Sequence, residues 1–309
     1  MKHTILGAGG TIANVLAYEL LMENESVRLV SRSNHSIIGA ESFRADITSY
    51  EETLNSVKGS DIVYLVAGLP YDRKVWAAMW PKIMRNTIDA CKNYGAKLIF
   101  FDNVYMYGKV NGKMTESTPY NPCSVKGEIR ANIATMLENE IKLNNIQALI
   151  ARSADFYGPY AAQSSVPYFL AIQKMLNGKS GQWLANANKP HSFTYTPDSA
   201  KGLNLLWKND ANSQQTWHLP TYNPAIDGKT FIEIIAKELG VEPSYSVLKK
   251  WMVAMGGIFN KMIYESLEMI YQSENEYYFD STKFNDHFKF EPTTYEAGIK
   301  KTIEFFKGK

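Results

Sequence analysis

The sequence predicts an α/β protein built around a doubly wound parallel sheet. Short runs rich in Val, Ile, Leu and Phe alternate with longer runs of helical spacing through the first half of the chain. The predicted strands are apolar at nearly every position, which is typical of parallel strands covered on both faces. A glycine-rich turn, GAGGTIA, follows the first strand and leads into a helix. Together these observations predict helices on both faces of the sheet.

The predicted elements of the first half alternate strictly between strand and helix. The strands are HTILG, SVRLVS, DIVYLVA, KLIFFD and IQALIARS. The helices between them are NVLAYELLMEN, SYEETLNSVKG, the long segment at 71–95, and SVKGEIRANIATMLENEIKLN. Each helix connects two strands in the way that a parallel sheet requires.

The pattern loosens after about residue 158, where helices mix with isolated strands. The helical segments there are VPYFLAIQKMLNG, PDSAKGLNLLWKN, GKTFIEIIAKELG and TYEAGIKKTIEFFKG. We predict a dinucleotide-binding domain at 1–158 and a smaller mixed α/β lobe, mainly for substrate, at 159–309. The segment at about 190–220 is expected to return to the first domain.

Composition and charge restrict the expected partners. The chain has 309 residues, with 33 Lys and Arg against 31 Asp and Glu and a formal net charge of +2. This balance favours neither nucleic acid nor an anionic membrane as partner, so we expect a small-molecule substrate. Two cysteines form no disulfide framework, and no leader segment precedes the first strand, so we expect a cytoplasmic location. The apolar run WMVAMGGIF is too short to span a bilayer and predicts a buried or interface helix.

The GAGGTIA turn predicts a binding site for the phosphates of a dinucleotide. Its small residues permit a sharp turn and let the backbone approach a pyrophosphate closely. The helix that follows places the partial positive charge of its N-terminus at the same point. The residues that carry this prediction are Gly7, Gly9, Gly10, Thr11 and Ile12.

The end of the second strand predicts which dinucleotide is bound. An NAD site usually has a carboxylate there, which binds the ribose hydroxyls of the adenosine. This chain instead has Ser31, Arg32 and Ser33 at that point. A guanidinium binds a 2′-phosphate through charge-assisted hydrogen bonds, and two hydroxyls can add donors. The sequence therefore favours NADP over NAD.

These motifs resemble the extended short-chain dehydrogenase/reductase superfamily, in particular its NAD(P)-dependent epimerase/dehydratase type, over nearly the whole chain. The resemblance implies a Rossmann-type sheet. Asp46 and Ile47 resemble the family's adenine-contacting pair, and Ala67 and Gly68 resemble the small residues at the strand end beside the cofactor. Asp155, in RSADFYGP, lies in the segment that resembles the one passing the nicotinamide. It either faces the bound molecules or caps a turn.

The resemblance also implies a catalytic triad, and this chain departs from it at every position. Active relatives have a serine or threonine after the fifth strand, and a tyrosine four residues before a lysine that lowers the tyrosine's pKa. The motif FFDNVYMYG places Asn103 in the serine position. The proline at 122 places Cys123 in the tyrosine position and Gly127 in the lysine position.

Asn103, Cys123 and Lys126 are therefore the catalytic candidates. A cysteine ionises nearer to neutrality than a phenol, so Cys123 could donate a proton or act as a nucleophile, or it could be a small apolar filler. Lys126 could bind ribose or phosphate if the helix register slips by one residue, or it could be a solvated surface lysine. Tyr105 and Tyr107 remain as reserve acids.

The histidines predict neither catalysis nor metal binding. His191 and His218 are expected to be hydrogen-bonded structural residues far from the chemistry. The five histidines and two cysteines have no zinc or iron spacing, so no metal site is predicted.

Three functions remain open from the sequence. The first is an NADP-dependent oxidoreductase that acts on a small carbonyl, hydroxyl or sugar-like substrate with a non-standard proton relay. The second is a nucleotide-sugar epimerase or dehydratase. The third is a non-catalytic NADP-binding sensor or scaffold. The resemblance also implies a possible homodimer through the helices at about 72–94 and 124–145.

Overall fold

The computed structural model describes residues 1–209 and 213–308. The strands in these residues are β1 (Lys2–Leu6), β2 (Ser26–Ser31), β3 (Glu41–Arg44), β4 (Ile62–Leu65), β5 (Lys97–Asp102), β6 (Lys113–Met114), β7 (Ala148–Arg152), β8 (Asp155–Tyr157), β9 (Gly181–Leu184), β10 (Phe193–Tyr195), β11 (Thr216–His218), β12 (Tyr245–Leu248) and β13 (Tyr278–Phe279). The helices are α1 (Thr11–Met22), α2 (Tyr50–Val57), α3 (Arg73–Tyr94), α4 (Val125–Lys142), α5 (Gln173–Leu176), α6 (Thr196–Trp207), α7 (Gly228–Leu239), α8 (Lys250–Phe259), α9 (Lys261–Ser266), α10 (Tyr271–Glu274), α11 (Thr282–Phe288) and α12 (Tyr295–Lys307).

Seven strands form one sheet in the order β11-β7-β5-β4-β1-β2-β3. All neighbouring strands in it are parallel. The strand order reverses between β1 and β4, and in such sheets ligands bind outside the carboxyl ends of the strands at this point. The predicted doubly wound Rossmann-type fold is therefore confirmed.

Each face of the sheet has its own apolar core. On one face, α3 and α4 bury Trp80, Met84 and Ile133 together with side chains of β4, β5 and β7. On the other face, α1 and α6 pack against Tyr64 and Leu149 and the rest of the alternate strand positions. Burial on both faces explains why the strands are apolar at consecutive positions.

The second half of the chain contributes to the sheet and also forms its own core. Helix α6 packs against α1, and β11 joins the sheet beside β7. A separate cluster forms around Trp183, Phe231 and Ile299. Three short parallel pairs, β8 with β10, β9 with β12 and β6 with β13, complete this part. The division into lobes at 1–158 and 159–309 stays a prediction.

Two sequence-based expectations differ from the structure. Helix α1 begins at Thr11, three residues earlier than the apolar spacing indicated, because the glycine turn leads directly into its first turn. The run WMVAMGGIF forms most of α8, but only Val253 and Gly257 of this helix are buried. The alternative of a buried helix is therefore wrong, because α8 packs chiefly against α9, and the alternative of an interface helix stays a prediction. No helix in the described part of the chain is long and apolar enough to cross a membrane.

A buried chain of hydrogen bonds lies under the carboxyl edge of the sheet. Arg152 Nη1 donates to the Tyr107 hydroxyl at 2.7 Å, and this hydroxyl lies 2.9 Å from Nε2 of His218. Nδ1 of His218 lies 2.8 Å from the carbonyl oxygen of Asp280 and donates to it. The Tyr107 hydroxyl therefore donates to Nε2, and the imidazole is neutral. Burial lowers the pKa of His218 to about 3.

We expect the free energy of unfolding to decrease as the pH is lowered below about 6.5, the ordinary pKa of histidine. The folded state binds the His218 proton only near pH 3, whereas the unfolded state binds it near pH 6.5. Between these values each unit of decrease in pH lowers the free energy of unfolding by about 1.4 kcal/mol. Above pH 6.5, His218 causes no pH dependence. The free energy of unfolding from urea titrations should show this slope in the wild type and a shallower one in His218→Gln. Equal slopes in the two proteins would contradict the conclusion that His218 is neutral in the folded state.

Candidate active site

The glycine turn after β1 has the geometry of an anion site. Gly7 has φ +109°, and a Cβ on it would lie 2.4 Å from Cα of Ala67, so only glycine lets the turn approach the end of β4. Gly9 and Gly10 are exposed. The cap of α1 is Gly10, which has no capping side chain, whereas the caps of α2, α3, α4 and α7 each accept a hydrogen bond through a side chain. The first amides of α1 are thus left for an external anion.

The other two predicted residues of this turn can act only through the backbone. The Thr11 hydroxyl donates to the carbonyl of Tyr160 at 3.0 Å, and it lies 2.7 Å from the hydroxyl of Ser164. The side chain of Ile12 is buried in the core. The Thr11 contact also holds the chain that follows β8 against the glycine turn. Neither Tyr160 nor Ser164 was predicted from the sequence to belong to the site.

The end of β2 presents a cation and hydroxyls at the surface. Arg32 and Ser33 are exposed, and the Ser31 hydroxyl accepts from the His35 amide at 2.9 Å while keeping its own hydrogen to donate. The amide and hydroxyl of Thr48, together with the charge of Arg32, hold the pKa of Asp46 below its ordinary value. Arg32 and Asp46 are therefore near neighbours.

The remaining cofactor candidates lie along the same edge. Gly68 is exposed, with open space where a Cβ would stand, and Ala67 is half-buried against Gly7. The backbone of Ile47 is fixed because its carbonyl accepts from Thr53 and Asn86. The structure thus gathers the glycine turn, the end of β2 and the end of β4 on one side of the sheet. Their roles in cofactor binding stay predictions.

The turn after β5 is fixed by a fully buried carboxylate. Asp102 accepts from the guanidinium of Arg130 on α4, with Nε at 2.7 Å, and lies 3.7 Å from Nε of Arg152 on β7. Its oxygen also accepts from the amide of Asn103. The side-chain oxygen of Asn103 accepts from the Tyr105 amide at 3.0 Å, which leaves its amide group as the donor for a bound molecule.

The lysine position of the family's triad is closed in this chain. A Cβ on Gly127 would lie 2.6 Å from the carbonyl oxygen of Tyr105 and 2.9 Å from the hydroxyl of Ser124. The Ser124 hydroxyl is the cap of α4 and accepts from the Gly127 amide at 3.0 Å. No side chain fits at this position unless the backbone turn moves.

Lys126 is fully buried and is occupied by the C-terminal part of the chain. Its Nζ donates to the carbonyl of Glu265 at 2.9 Å, to the carboxylate of Glu265 at 2.8 Å and to that of Glu268 at 2.6 Å. An ammonium has three N–H groups, so these contacts use all of them. The alternative of a solvated surface lysine is wrong. In this geometry Lys126 has no N–H group left to donate to a ribose or to a proton relay.

The two glutamates bind the starts of two sheet helices as well as Lys126. Glu265 accepts from the Arg73 amide at the start of α3, and Glu268 from the Val125 amide at the start of α4. Lysine and the helix N-termini supply positive charge at these points. Lys126, Arg73 and nearby hydrogen bonds lower the pKa of Glu265, although burial opposes this. These contacts hold the segment around α9 against the carboxyl edge of the sheet.

Asp155 and His191 form a pair that sequence analysis did not predict. The register of β8 with β10 sets Asp155 beside Phe193, which brings His191 within reach. Nε2 of His191 lies 3.0 Å from the Asp155 carboxylate, and its ring stacks on Tyr277 at 4.2 Å. His191 is hydrogen-bonded, as expected, and its distance from the chemistry stays a prediction. The Asp155 side chain is 32% exposed, so a bound molecule can reach it.

Four tyrosines lie close enough to this carboxylate for its charge to act on their pKa. Burial raises the pKa of Tyr71, Tyr105, Tyr271 and Tyr277, and the charge of Asp155 raises each further. All four phenols are therefore protonated at neutral pH and can donate hydrogen bonds but cannot act as bases. Tyr71, Tyr271 and Tyr277 had no signal in the sequence, because no local motif connects them with residue 155.

Cys123 and Tyr107 have different placements. Cys123 is exposed and contributes, after burial, to the raised pKa of Tyr271, so it lies beside the tyrosines. The alternative that Cys123 is an apolar filler, partly buried, is wrong, because its side chain is exposed. Tyr107 is buried in the hydrogen-bonded chain with His218, so it cannot reach a substrate.

Within 1–209 and 213–308, no group of His, Cys, Asp or Glu could hold a metal ion.

The chain matches the sequence model of one known protein family. The sequence model of the NAD dependent epimerase/dehydratase family matches residues 3–219. The chain belongs to this family. No curated protein matches the sequence significantly.

Solved structures of the epimerase/dehydratase type share the fold across the chain. UDP-glucuronic acid 4-epimerase from Bacillus cereus, in complex with NAD, is 18% identical with a TM-score of 0.81 over 100% of this chain and 99% of that one. UDP-glucose 4-epimerase from Thermus thermophilus, with NAD, is 18% identical with a TM-score of 0.80 and the same coverage. dTDP-glucose 4,6-dehydratase from Bacillus anthracis, with NAD, is 16% identical, with a TM-score of 0.80 over 100% and 97%. At this identity the likeness establishes the fold alone.

We expect Gly127→Ala to lower the free energy of unfolding by about 1 to 3 kcal/mol, because its methyl group meets a backbone carbonyl. The matched control is Gly256→Ala, also in a helix, where a Cβ would have an ordinary 3.5 Å contact with Ile263. That variant should be neutral or more stable by about 0.5 to 1 kcal/mol. Urea titrations measure both. Equal tolerance of the two substitutions would contradict the closure of the lysine position.

Proposed function

We propose that this chain is an NADP-dependent oxidoreductase that acts on a hydroxyl-bearing or carbonyl carbon of a small, sugar-like substrate, with Asp155 in its proton relay. The observation that carries the proposal is the Asp155–His191 pair at the carboxyl edge of a family-type sheet, in which Asp155 is partly exposed near protonated phenols and His191 is buried. The family is NAD-dependent. The preference for NADP is part of the proposal.

The cofactor residues fit a dinucleotide. The uncapped start of α1 and the close approach of Gly7 to Ala67 suit a pyrophosphate. Exposed Arg32, with the hydroxyls of Ser31 and Ser33, suits an adenosine 2′-phosphate. The dinucleotide would supply the hydride transfer, and the protein would supply binding, orientation and protons.

The proton chemistry follows from the two kinds of group in the site. Tyr105 stays protonated, so its hydroxyl can donate a hydrogen bond to the substrate oxygen in both directions. The proton itself would pass between that oxygen and Asp155, which accepts a hydrogen bond from Nε2 of His191: Asp155 gives the proton in reduction and takes it back in oxidation. Cys123 is exposed beside Tyr271 and can contact the substrate from the other side. Asn103 contributes its amide as a hydrogen-bond donor.

A nucleotide-sugar epimerase or dehydratase is the second candidate, and the family match favours it. The structures with the same fold include proteins described as UDP-sugar epimerases and a dTDP-glucose 4,6-dehydratase. Such a reaction begins by oxidising a hydroxyl, so it needs a base, and Asp155 is the available one. A rise in the thermal midpoint with a UDP- or dTDP-sugar, in the presence of NAD or NADP, would favour this candidate.

We expect Arg32→Ala to weaken NADP binding by about 10- to 100-fold, because charge-assisted hydrogen bonds to the 2′-phosphate are lost. NAD binding should not change. The control is Arg85→Ala, which removes an arginine that pairs with Glu140 near the far end of α4. Titration calorimetry with both nucleotides measures the effect. Parallel losses for NADP and NAD in Arg32→Ala would show that this residue does not select the phosphate.

We expect Asp155→Asn to lower turnover by about 100-fold or more while NADP affinity is retained, because the variant lacks the proton acceptor. The substrate is first sought by following NADPH absorbance with panels of aldehydes, ketones and sugar nucleotides. The matched control is Asp286→Asn, at an exposed position on α11. Wild-type turnover in Asp155→Asn would contradict the relay. NADP binding with no turnover on any panel would contradict the enzyme and favour a sensor or scaffold.

A further inference from the structure

The helical hairpin formed by α8 and α9 exposes an unusual amount of apolar surface. Seven of the seventeen large exposed apolar side chains in the described part of the chain fall between residues 251 and 264. At its tip, Ile258 is 78% exposed and Phe259 is 89% exposed. The other five are Trp251, Met252, Met255, Met262 and Tyr264. Soluble proteins rarely expose such a contiguous patch unless it binds something.

The hairpin is a built structure and not a loosely packed segment. A Cβ on Gly257 would lie 3.1 Å from Cα of Tyr264, so the glycine allows the two helices to pack closely. At its base, Glu265 and Glu268 bind Lys126, and Arg73 donates to the Tyr264 hydroxyl at 3.2 Å. The base is therefore fixed to the carboxyl edge of the sheet, and the apolar tip extends away from it.

The charge of the hairpin identifies what the patch would bind. Residues 243–264 contain three lysines, Lys249, Lys250 and Lys261, and no Asp or Glu. All three lysines are exposed, and two also contact carboxylates outside the segment, Lys250 with Glu274 at 3.3 Å and Lys261 with Asp72. Exposed lysines beside exposed Trp, Met, Ile and Phe combine the cationic and apolar side chains that a membrane interface accommodates.

We propose that the α8–α9 hairpin docks on an anionic lipid surface, with the side chains from Trp251 to Met262 inserted among the acyl chains and the lysines at the headgroups. Helix α8 has 10 residues, whereas a span needs roughly 20, so the hairpin lies on the bilayer. This docking would hold the carboxyl edge, with the candidate active site, beside the membrane. It departs from the expectation, based on whole-chain charge, that no membrane takes part.

A second copy of the chain fits the patch less well. A twofold interface places the same surface of each protomer against the other. Two basic segments would then face each other; they supply no carboxylate of their own, and of their lysines only Lys250 and Lys261 contact one from outside the segment. Anionic headgroups supply that complement directly, and each lysine near such a surface is worth about fivefold in affinity.

The test is co-sedimentation of the full chain with vesicles of phosphatidylcholine alone and with added phosphatidylserine. We expect binding to the mixed vesicles that weakens with salt, is lost in the double variant Ile258→Asp and Phe259→Asp, and falls about fivefold in Lys249→Ala. The matched control is Leu143→Asp, at an exposed apolar position at the end of α4, which should bind as the wild type does. Circular dichroism confirms that each variant is folded.

Three outcomes would overturn the proposal. The first is no binding to either vesicle type. The second is binding that is unaffected by the tip substitutions or equal on neutral vesicles. The third is a dimer in sedimentation velocity that the tip substitutions dissociate, which would assign the patch to a second copy of the chain.

Discussion

The contact between the Tyr105 carbonyl and Gly127 leaves no room for a side chain at position 127. It exists because the buried Asp102 carboxylate binds Arg130 of α4 and lies beside Arg152 of β7, which holds the turn after β5 against the start of α4. Removing a partner from such a buried ion pair typically costs about 3 to 5 kcal/mol, so this arrangement is firmly held. With the turn in this place, helix α4 cannot project a lysine from position 127 toward a cofactor.

The adjacent lysine takes part in a different interaction. Lys126 gives all three N–H groups to Glu265 and Glu268, and these carboxylates also accept from the first amides of α3 and α4. The same segment supplies the base of the α8–α9 hairpin. One set of ion pairs therefore joins the site, the start of α4 and the exposed apolar surface. Under the proposed function, proton transfer depends on groups from other strands, chiefly Asp155 and His191.

The sequence predicted the features that depend on local pattern. The parallel sheet, the glycine turn and the departure from the family triad all follow from runs of fewer than about fifteen residues. The pair of Asp155 and His191 depends on the register of β8 with β10, which no local motif encodes. The role of Lys126 depends on glutamates 139 and 142 residues away. The exposure of α8 was missed because an apolar run does not reveal whether a partner element covers it, and a near-neutral whole chain conceals a locally basic segment.

A crystal structure of the chain with NADP bound tests the central claim most directly. The account predicts the 2′-phosphate against Arg32, the pyrophosphate on the first amides of α1, and Lys126 still bound to Glu265 and Glu268. It also predicts that the acidic group facing the nicotinamide is Asp155. Of the side chains near the start of α4, only Cys123 would face it. A Lys126 that leaves the glutamates and binds the nicotinamide ribose would contradict the account, as would a glycine turn without bound nucleotide.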